Sequence, residues 1–150
     1  MLFIEKCIRL VKPGGRIAIV LPQGNLNNPT SEFLRNFIFD HCRLLGCVGL
    51  RENTFRPFTP TKTSVVLLQK WKSDNKKSDN YNIFMADSEK PGKDNSGNYI
   101  YLKDKDGNYI DEKKQIIDVL KTPRVVDHDL DQIISDFENF KKKENISFNE

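Results

Sequence analysis

The run from Lys12 to Gly24, Lys-Pro-Gly-Gly-Arg-Ile-Ala-Ile-Val-Leu-Pro-Gln-Gly, constrains the fold of this chain more than any other stretch. Ahead of it, Leu2, Phe3, Cys7, Leu10 and Val11 recur near i, i+4, i+7 and i+8, the spacing of a helix. Pro13 cannot continue such a helix, and Gly14-Gly15 accept the left-handed backbone that ends one. The unbroken apolar residues Ile17 to Leu21 then predict a strand covered on both faces, as in the middle of a parallel sheet. Helix, turn and buried strand ending in Pro-x-Gly together predict the back half of an α/β sheet. The predicted helix begins at Met1, with neither a strand nor a glycine-rich turn ahead of it.

The remaining elements follow from the same periodicities. A loop from Pro22 to Pro29 leads into a helix whose Phe33, Leu34, Phe37, Ile38 and Cys42 share one face, with Thr30 or Ser31 placed to cap it. Arg43 to Leu50 reads as a second strand, in which Gly46 and Gly49 point to close backbone approach. After a 12-residue connection, Arg51 to Lys62, the segment Thr63 to Gln69 reads as a third strand. A helix between the first two strands makes them parallel, whereas the loop between the second and third suits an antiparallel pair. Ser73 to Asn80 holds only Lys, Asp, Asn and Ser and reads as a solvated linker.

Beyond the linker, Tyr81 to Ala86 suits a short strand, and the pattern D-x-x-G-N-Y-I occurs twice, from Asp94 and from Asp104. Asp106-Gly107 between two alternating runs is a hairpin signal. A calcium loop is the other reading of Asp104, Asp106 and Gly107, but it needs an oxygen ligand where Leu102 stands, so a plain turn is expected. Leu130, Ile133, Ile134, Phe137 and Phe140 then recur at helical spacing, and Lys141 to Lys143 complement the dipole at that helix's end. The chain thus divides into residues 1–72, a linker over 73–80, and a hairpin-and-helix extension over 81–150.

Composition narrows the class. No apolar run approaches the ~20 residues of a membrane span, and the first helix carries Glu5 and Lys6, unlike a signal peptide. Cys7, Cys42 and Cys47 are odd in number and lie in apolar surroundings, as buried free thiols in a reducing cytoplasm would. The net charge of +3 is uneven: residues 1–72 carry 11 Lys and Arg against 4 Asp and Glu, and residues 73–150 carry 13 against 17. A basic front half suits a surface facing nucleic-acid phosphate, although charge alone favours an ordinary solvated face. His41 and His128 have no metal-ligand spacing with a cysteine or carboxylate, and no Gly-x-Ser-x-Gly, Walker loop or zinc-ribbon spacing occurs.

The parallel, parallel, antiparallel strand set resembles the later half of a class I S-adenosylmethionine-dependent methyltransferase, with a Rossmann-like sheet. A longer string is sharper. Phe3 to Gly24, Leu26-Asn-Asn-Pro29, Phe33 to Ile38, Glu52-Asn-Thr-Phe55 and Lys62 to Lys70 resemble the modification (M) subunit of type I restriction-modification systems, a family of N-6 adenine-specific DNA methyltransferases. The likeness continues through Ile83 to Ala86, the Gly97-Asn98 and Gly107-Asn108 turns, and Phe137 to Lys143.

The resemblance implies S-adenosyl-L-methionine as cofactor and DNA as substrate, with separate specificity and restriction subunits as partners. It also implies a departure. Such enzymes need a glycine-rich turn after their first strand and an Asn/Asp-Pro-Pro-aromatic tetrapeptide that holds and stacks the extruded base. This chain has no Pro-Pro pair, and Asn28-Pro29-Thr30 is not that tetrapeptide. The expectation is a fragment or one half of a split product, inactive without the preceding half, with no catalytic residue of its own. The alternative is a non-catalytic module that binds DNA or another subunit. A class I methyltransferase acting on RNA or a small molecule fits the Lys-Pro-Gly-Gly turn but not the Asn27-Asn-Pro and Lys62-Thr-Ser strings.

Loops at the carboxyl ends of parallel strands line ligand sites in open α/β sheets. Pro22, Gln23, Gly24 and Asn25 hold such a place and, by resemblance, border the target-base pocket; otherwise they are a turn and a helix cap. Phe55, Phe58, Thr61, Lys62 and Thr63 lie in or beside the long loop before the last strand, and loops of that length are often functional. A flipped base would stack on Phe55 or Phe58 with Lys62 against phosphate, or the two phenylalanines are core plugs.

Overall fold

The computed structural model describes residues 2–72 and 80–146. The linker expected over 73–80 therefore lies, apart from Asn80, outside the described residues. Four strands form one open sheet: β1 (Arg16–Pro22), β2 (Cys42–Leu50), β3 (Thr63–Lys70) and β4 (Phe84–Asp87), in the order β1-β3-β2-β4. β3 is antiparallel to both β1 and β2, and β4 runs parallel to β2. β1 and β2 are therefore parallel, as their connection demands, yet not adjacent, because β3 returns between them. This is the α/β sheet expected from the sequence, with one strand, β4, supplied by the extension.

Two helices cover one face. α1 (Leu2–Leu10) and α3 (Glu32–His41) bring Ile4, Ile8, Leu34 and Ile38 against Ile19, Leu21, Val66 and Leu68 of the sheet, with Cys42 among them. The apolar face of α1 is thus Ile4 and Ile8, while Leu2, Phe3 and Leu10 stay largely exposed, contrary to the spacing reading. β1 also departs from expectation. Its burial alternates, with Ile19 and Leu21 inside and Ala18, Val20 and Pro22 outside, so only one of its faces is covered. The five apolar residues resemble a doubly covered strand in composition, but among the described residues helices pack on one side of β1 alone.

The opposite face is covered at its other end. Phe84 of β4 is paired through Gly46 to Leu67, so it points away from the α1–α3 layer. There it meets Phe137 and Phe140 of α4 (Leu130–Lys143), with ring centroids 5.2 and 5.7 Å apart. The two glycines of β2 earn their place here. A Cβ on Gly46 would sit 3.3 Å from the Phe84 Cβ, and one on Gly49 would collide with the Asp87 carboxylate. The close approach read from those glycines is the approach of β4.

The Lys-Pro-Gly-Gly turn ties α1 to the central strand. Gly14 has φ +76° and donates its N–H to the Lys70 carbonyl at 3.0 Å, and Lys70 donates back to Gly15 at 2.8 Å. The Lys70 side chain then reaches the end of α1, where its Nζ donates to the carbonyls of Ile8 and Val11 at 2.8 and 2.9 Å. Terminal helix carbonyls have no intrahelical donor and carry partial negative charge, so an ammonium there is stabilising. Lys70→Met keeps the stem and removes both bonds; it is expected to lower the unfolding free energy by about 1–2 kcal/mol, measured by urea denaturation.

A single turn of helix, α2 (Gly24–Asn27), follows β1. Capping of the next segment falls to Asn28, whose Oδ1 accepts from the Thr30 N–H and hydroxyl at 3.1 and 2.9 Å; Ser31 makes no side-chain cap. The three cysteines are free thiols, and burial pushes Cys42 up to about 11, against a smaller lowering by Lys70. Among the described residues no helix is long and apolar enough to cross a membrane.

Candidate functional site

All three mutually parallel strands, β1, β2 and β4, end at the same edge of the sheet, where β3 begins. The pairings there are Pro22 with Thr63, and Leu50 with Thr63 on the other side. The Gln23 N–H donates to the Lys62 carbonyl at 2.9 Å, extending the β1–β3 ladder one step. The sequence-selected segments Pro22–Asn25 and Thr61–Thr63 are therefore brought together by backbone pairing. Gly24 opens α2 with open space beside it, and Asn25 lies within that turn. Thr63 is buried, and its hydroxyl finds no hydrogen-bond partner among the described residues.

The loop from Arg51 to Lys62 leaves this edge and returns to it. Its internal order comes from short-range bonds: Thr54, Arg56 and Phe58 donate to the carbonyls of Arg51, Asn53 and Phe55 at 3.0–3.1 Å. Thr59 Oγ accepts from the Thr61 N–H at 3.1 Å, and the two hydroxyls are 2.9 Å apart. Phe58 is 91% exposed and Phe55 36%, so Phe58 is no core plug. A large apolar ring held in solvent on an ordered loop offers a flat face for stacking.

Beside the loop lies a polar groove of about 420 Å³, lined by Arg51, Glu52, Asn53 and Lys62 on one side and Glu89, Pro91 and Asn95 on the other. Of the candidate site residues taken from the sequence, Lys62 alone lines it. Arg51 and Lys62 make no ion pair among the described residues, nor do Glu52 and Glu89. Sequence reasoning missed the far wall, because the extension folds back over a separation of 42 residues to bond Asn53 to Asn95 at 2.9 Å. The repeated turn motif around Asn95 was visible; its docking place was not.

That wall is anchored by Asp129, which precedes α4. Its carboxylate accepts from Ser88 Oγ and the Glu89 N–H, both at 2.6 Å, and from the Lys90 N–H at 3.1 Å. Burial alone would raise its pKa, but these donors outweigh that and hold the carboxyl below the ordinary range. The segment entering the groove is thereby fixed at the point where it leaves β4.

No curated protein matches the chain. Among solved structures, a Listeria monocytogenes protein provisionally designated a class I S-adenosylmethionine-dependent methyltransferase is similar at 26% identity and a TM-score of 0.48, over 57% of this chain. The chain spans 25% of that protein's length. The family model described as N-6 DNA methylase matches residues 1–149, nearly the whole sequence. The sheet, with its helices on one face and its loops gathered at one edge, falls wholly within that match. This chain belongs to the N-6 DNA methylase family.

Proposed function

We propose that this chain supplies DNA-facing later strands to an adenine-N-6 DNA methyltransferase of a restriction-modification system, and transfers no methyl group by itself. The observation that carries this reading is the edge where three parallel strands end. There Pro22–Asn25 meets the Arg51–Lys62 loop, which holds Phe58 in solvent and whose two ends, Arg51 and Lys62, line the polar groove. In this reading Pro22, Gln23, Gly24 and Asn25 border the extruded adenine, and Phe58, with the less exposed Phe55 in the same loop, offers a stacking surface. Lys62 contacts backbone phosphate, while Thr61 and Thr63 set the mouth of the loop.

The cofactor of that reaction, S-adenosyl-L-methionine, does not fit the residues present. Its cradle needs glycines at the carboxyl end of a strand. Gly24 alone stands at that end of β1, without the glycine-rich turn of such a cradle, and Gly14 and Gly15 stand at the amino end of β1, engaged with Lys70. The cofactor and the amine-holding tetrapeptide accordingly belong to a preceding half. Its docking place is the outer edge of β1, which pairs with no strand among the described residues, together with the exposed Ala18 and Val20, since a bare strand edge invites pairing. A specificity subunit then chooses the target, and a restriction subunit completes the assembly.

The test is methyl transfer from labelled S-adenosylmethionine to adenine in duplex DNA, with the chain alone and co-expressed with a polypeptide that carries the glycine-rich turn and the tetrapeptide. The expected result is no transfer alone and transfer on reconstitution, with Phe58→Ala weakening DNA binding by about 1–3 kcal/mol at unchanged melting temperature. Transfer by the chain alone, or none by the reconstituted pair, overturns the reading. The seven-charge excess of residues 1–72 supports a second reading, a non-catalytic DNA-binding module. Under it, duplex affinity of the chain alone falls steeply with salt, with no methylation in any combination.

A further inference from the structure

The two Asp-x-x-Gly-Asn-Tyr-Ile copies fold into the same turn, but only the first is docked. Asp94 Oδ1 accepts from the Ser96 and Asn98 N–H groups at 2.9 Å, and its Oδ2 accepts from Asn98 Nδ2 at 3.2 Å. Asp104 repeats this with Asp106, Asn108 and Asn108 Nδ2 at 2.9, 2.8 and 3.0 Å. Gly97 and Gly107 have φ of +92° and +88°. A third, degenerate copy closes Asp111 on Gln115 at 2.8 Å, with Lys114 at φ 62° where glycine stands in the others. The turn is therefore self-sufficient, and its internal bonds say nothing about docking.

The surroundings differ. A Cβ on Gly107 would meet nothing within 4 Å, whereas one on Gly97 would lie 2.7 Å from the Pro57 nitrogen and 2.8 Å from the Arg56 carbonyl carbon. Lys93 Nζ donates to the Arg56 carbonyl at 2.9 Å, in a part-buried setting, and Asn53 Nδ2 donates to Asn95 Oδ1 at 2.9 Å. The first turn thus grips the Arg51–Lys62 loop at three neighbouring points, on the segment just before exposed Phe58. Local opening of a loop is governed by how many such contacts cross to the rest of the fold.

We propose that the Asp94–Asn98 turn is a brace for the Arg51–Lys62 loop, and that Lys93, Asn95 and Gly97 are positioning residues for DNA contact by Phe58 and Lys62. The DNA part of this inference rests on the function proposed above; the brace itself does not.

Gly97→Ala and Gly107→Ala form a matched pair in the full chain. Both impose a side chain at positive φ, and only the first also drives it into the loop backbone. Amide hydrogen exchange at Thr54, Arg56 and Phe58 is expected to accelerate about tenfold or more in Gly97→Ala and to stay unchanged in Gly107→Ala. Lys93→Ala is expected to reproduce the acceleration and Lys93→Arg, which can still reach a carbonyl, to reverse it. Equal effects in the two glycine variants, or none in either, overturn the brace. In a second arm, duplex affinity falls in Gly97→Ala while the slope of log K against log salt holds, because no charge has been removed. Unchanged affinity, or a wild-type chain that binds no duplex, overturns the positioning role. The methyl-transfer assay reads the enzymatic function separately, so the two can fail independently.

Discussion

Leu68→Ala is expected to destabilise the protein by about 3–4 kcal/mol, within the range for deleting a fully buried leucine side chain. Leu68 is 1% exposed and sits in β3, the strand with partners on both sides: Ile17 across one ladder, Leu44 across the other. Its side chain lies in the cluster formed with Ile4, Ile8, Leu34 and Ile38, so truncation removes contacts to both helices and the sheet at once. The loss is a large fraction of the 5–15 kcal/mol that holds a typical domain, and a fall of about 10 °C in melting temperature should accompany it. The informative control is next door. Leu67 faces the other side and is only half-buried, and Val20 on β1 is 47% exposed. Val20→Ala should cost less than about 1 kcal/mol. Equal losses at Leu68 and Val20, read by urea denaturation, would mean that both faces of this part of the sheet are covered in solution.

That contrast shows what the sequence could and could not say. Strands β1, β2 and β3 were legible because runs such as Ile17–Leu21 and Val65–Leu68, punctuated by glycine and proline, have no other economical use. Their order was not. Nothing local in Thr63–Lys70 says that it inserts between two strands that precede it; that is decided by pairing over tens of residues. One-sided covering was hidden for a related reason. Ala18 and Val20 are apolar whether a helix lies over them or not, so composition cannot report which neighbours are there. In α1 the same surplus of apolar residues hid the true face, Ile4 and Ile8, among four others.

The candidate site divides along the same line. The loop Arg51–Lys62 announced itself by length and by Phe55 and Phe58, whereas the meeting of Gln23 with Lys62 required β3 to pair with β1. The groove's second wall did not, because Asn95 reaches Asn53 only after β4 has joined β2 in parallel. Gly46 and Gly49 carried the one usable hint. Glycines in a strand marked close approach, and the approaching element proved to be the one that delivers the extension to the site.

Asp129→Ala should detach that delivery, at a cost of about 2–3 kcal/mol near neutral pH. The carboxylate accepts three hydrogen bonds, from Ser88 Oγ, Glu89 N and Lys90 N, and Ser88 is only 4% exposed. Removing the acceptor leaves the buried Ser88 hydroxyl without its partner, while the exposed Glu89 and Lys90 N–H groups turn to water and lose bonds to a charged acceptor. The dependence on pH has a fixed sign. The folded carboxyl titrates below its ordinary range, because the donors outweigh the effect of burial. Its contribution is therefore complete above the unfolded value of about 4 and fades as pH falls through the lower folded value. The stability gap between wild type and Asp129→Ala should be widest at neutral pH and narrow only in acid. Asp129→Asn, which keeps one acceptor oxygen and cannot ionise, should show a smaller gap at neutral pH that narrows in acid by the same amount, because only the wild-type carboxyl titrates. Chemical denaturation of the three proteins between neutral pH and pH near 3 reads this directly. A wild-type to Asp129→Ala gap that stays constant across that range would mean the carboxylate is not what clasps the end of β4 to the start of α4. Because Glu89, Pro91 and Asn95 follow that clasp into the groove, the same variant should also loosen the groove's far wall, seen as faster amide exchange at Ile100 and Asp127, whose N–H groups bond to Gly92 and Ile100 across the extension.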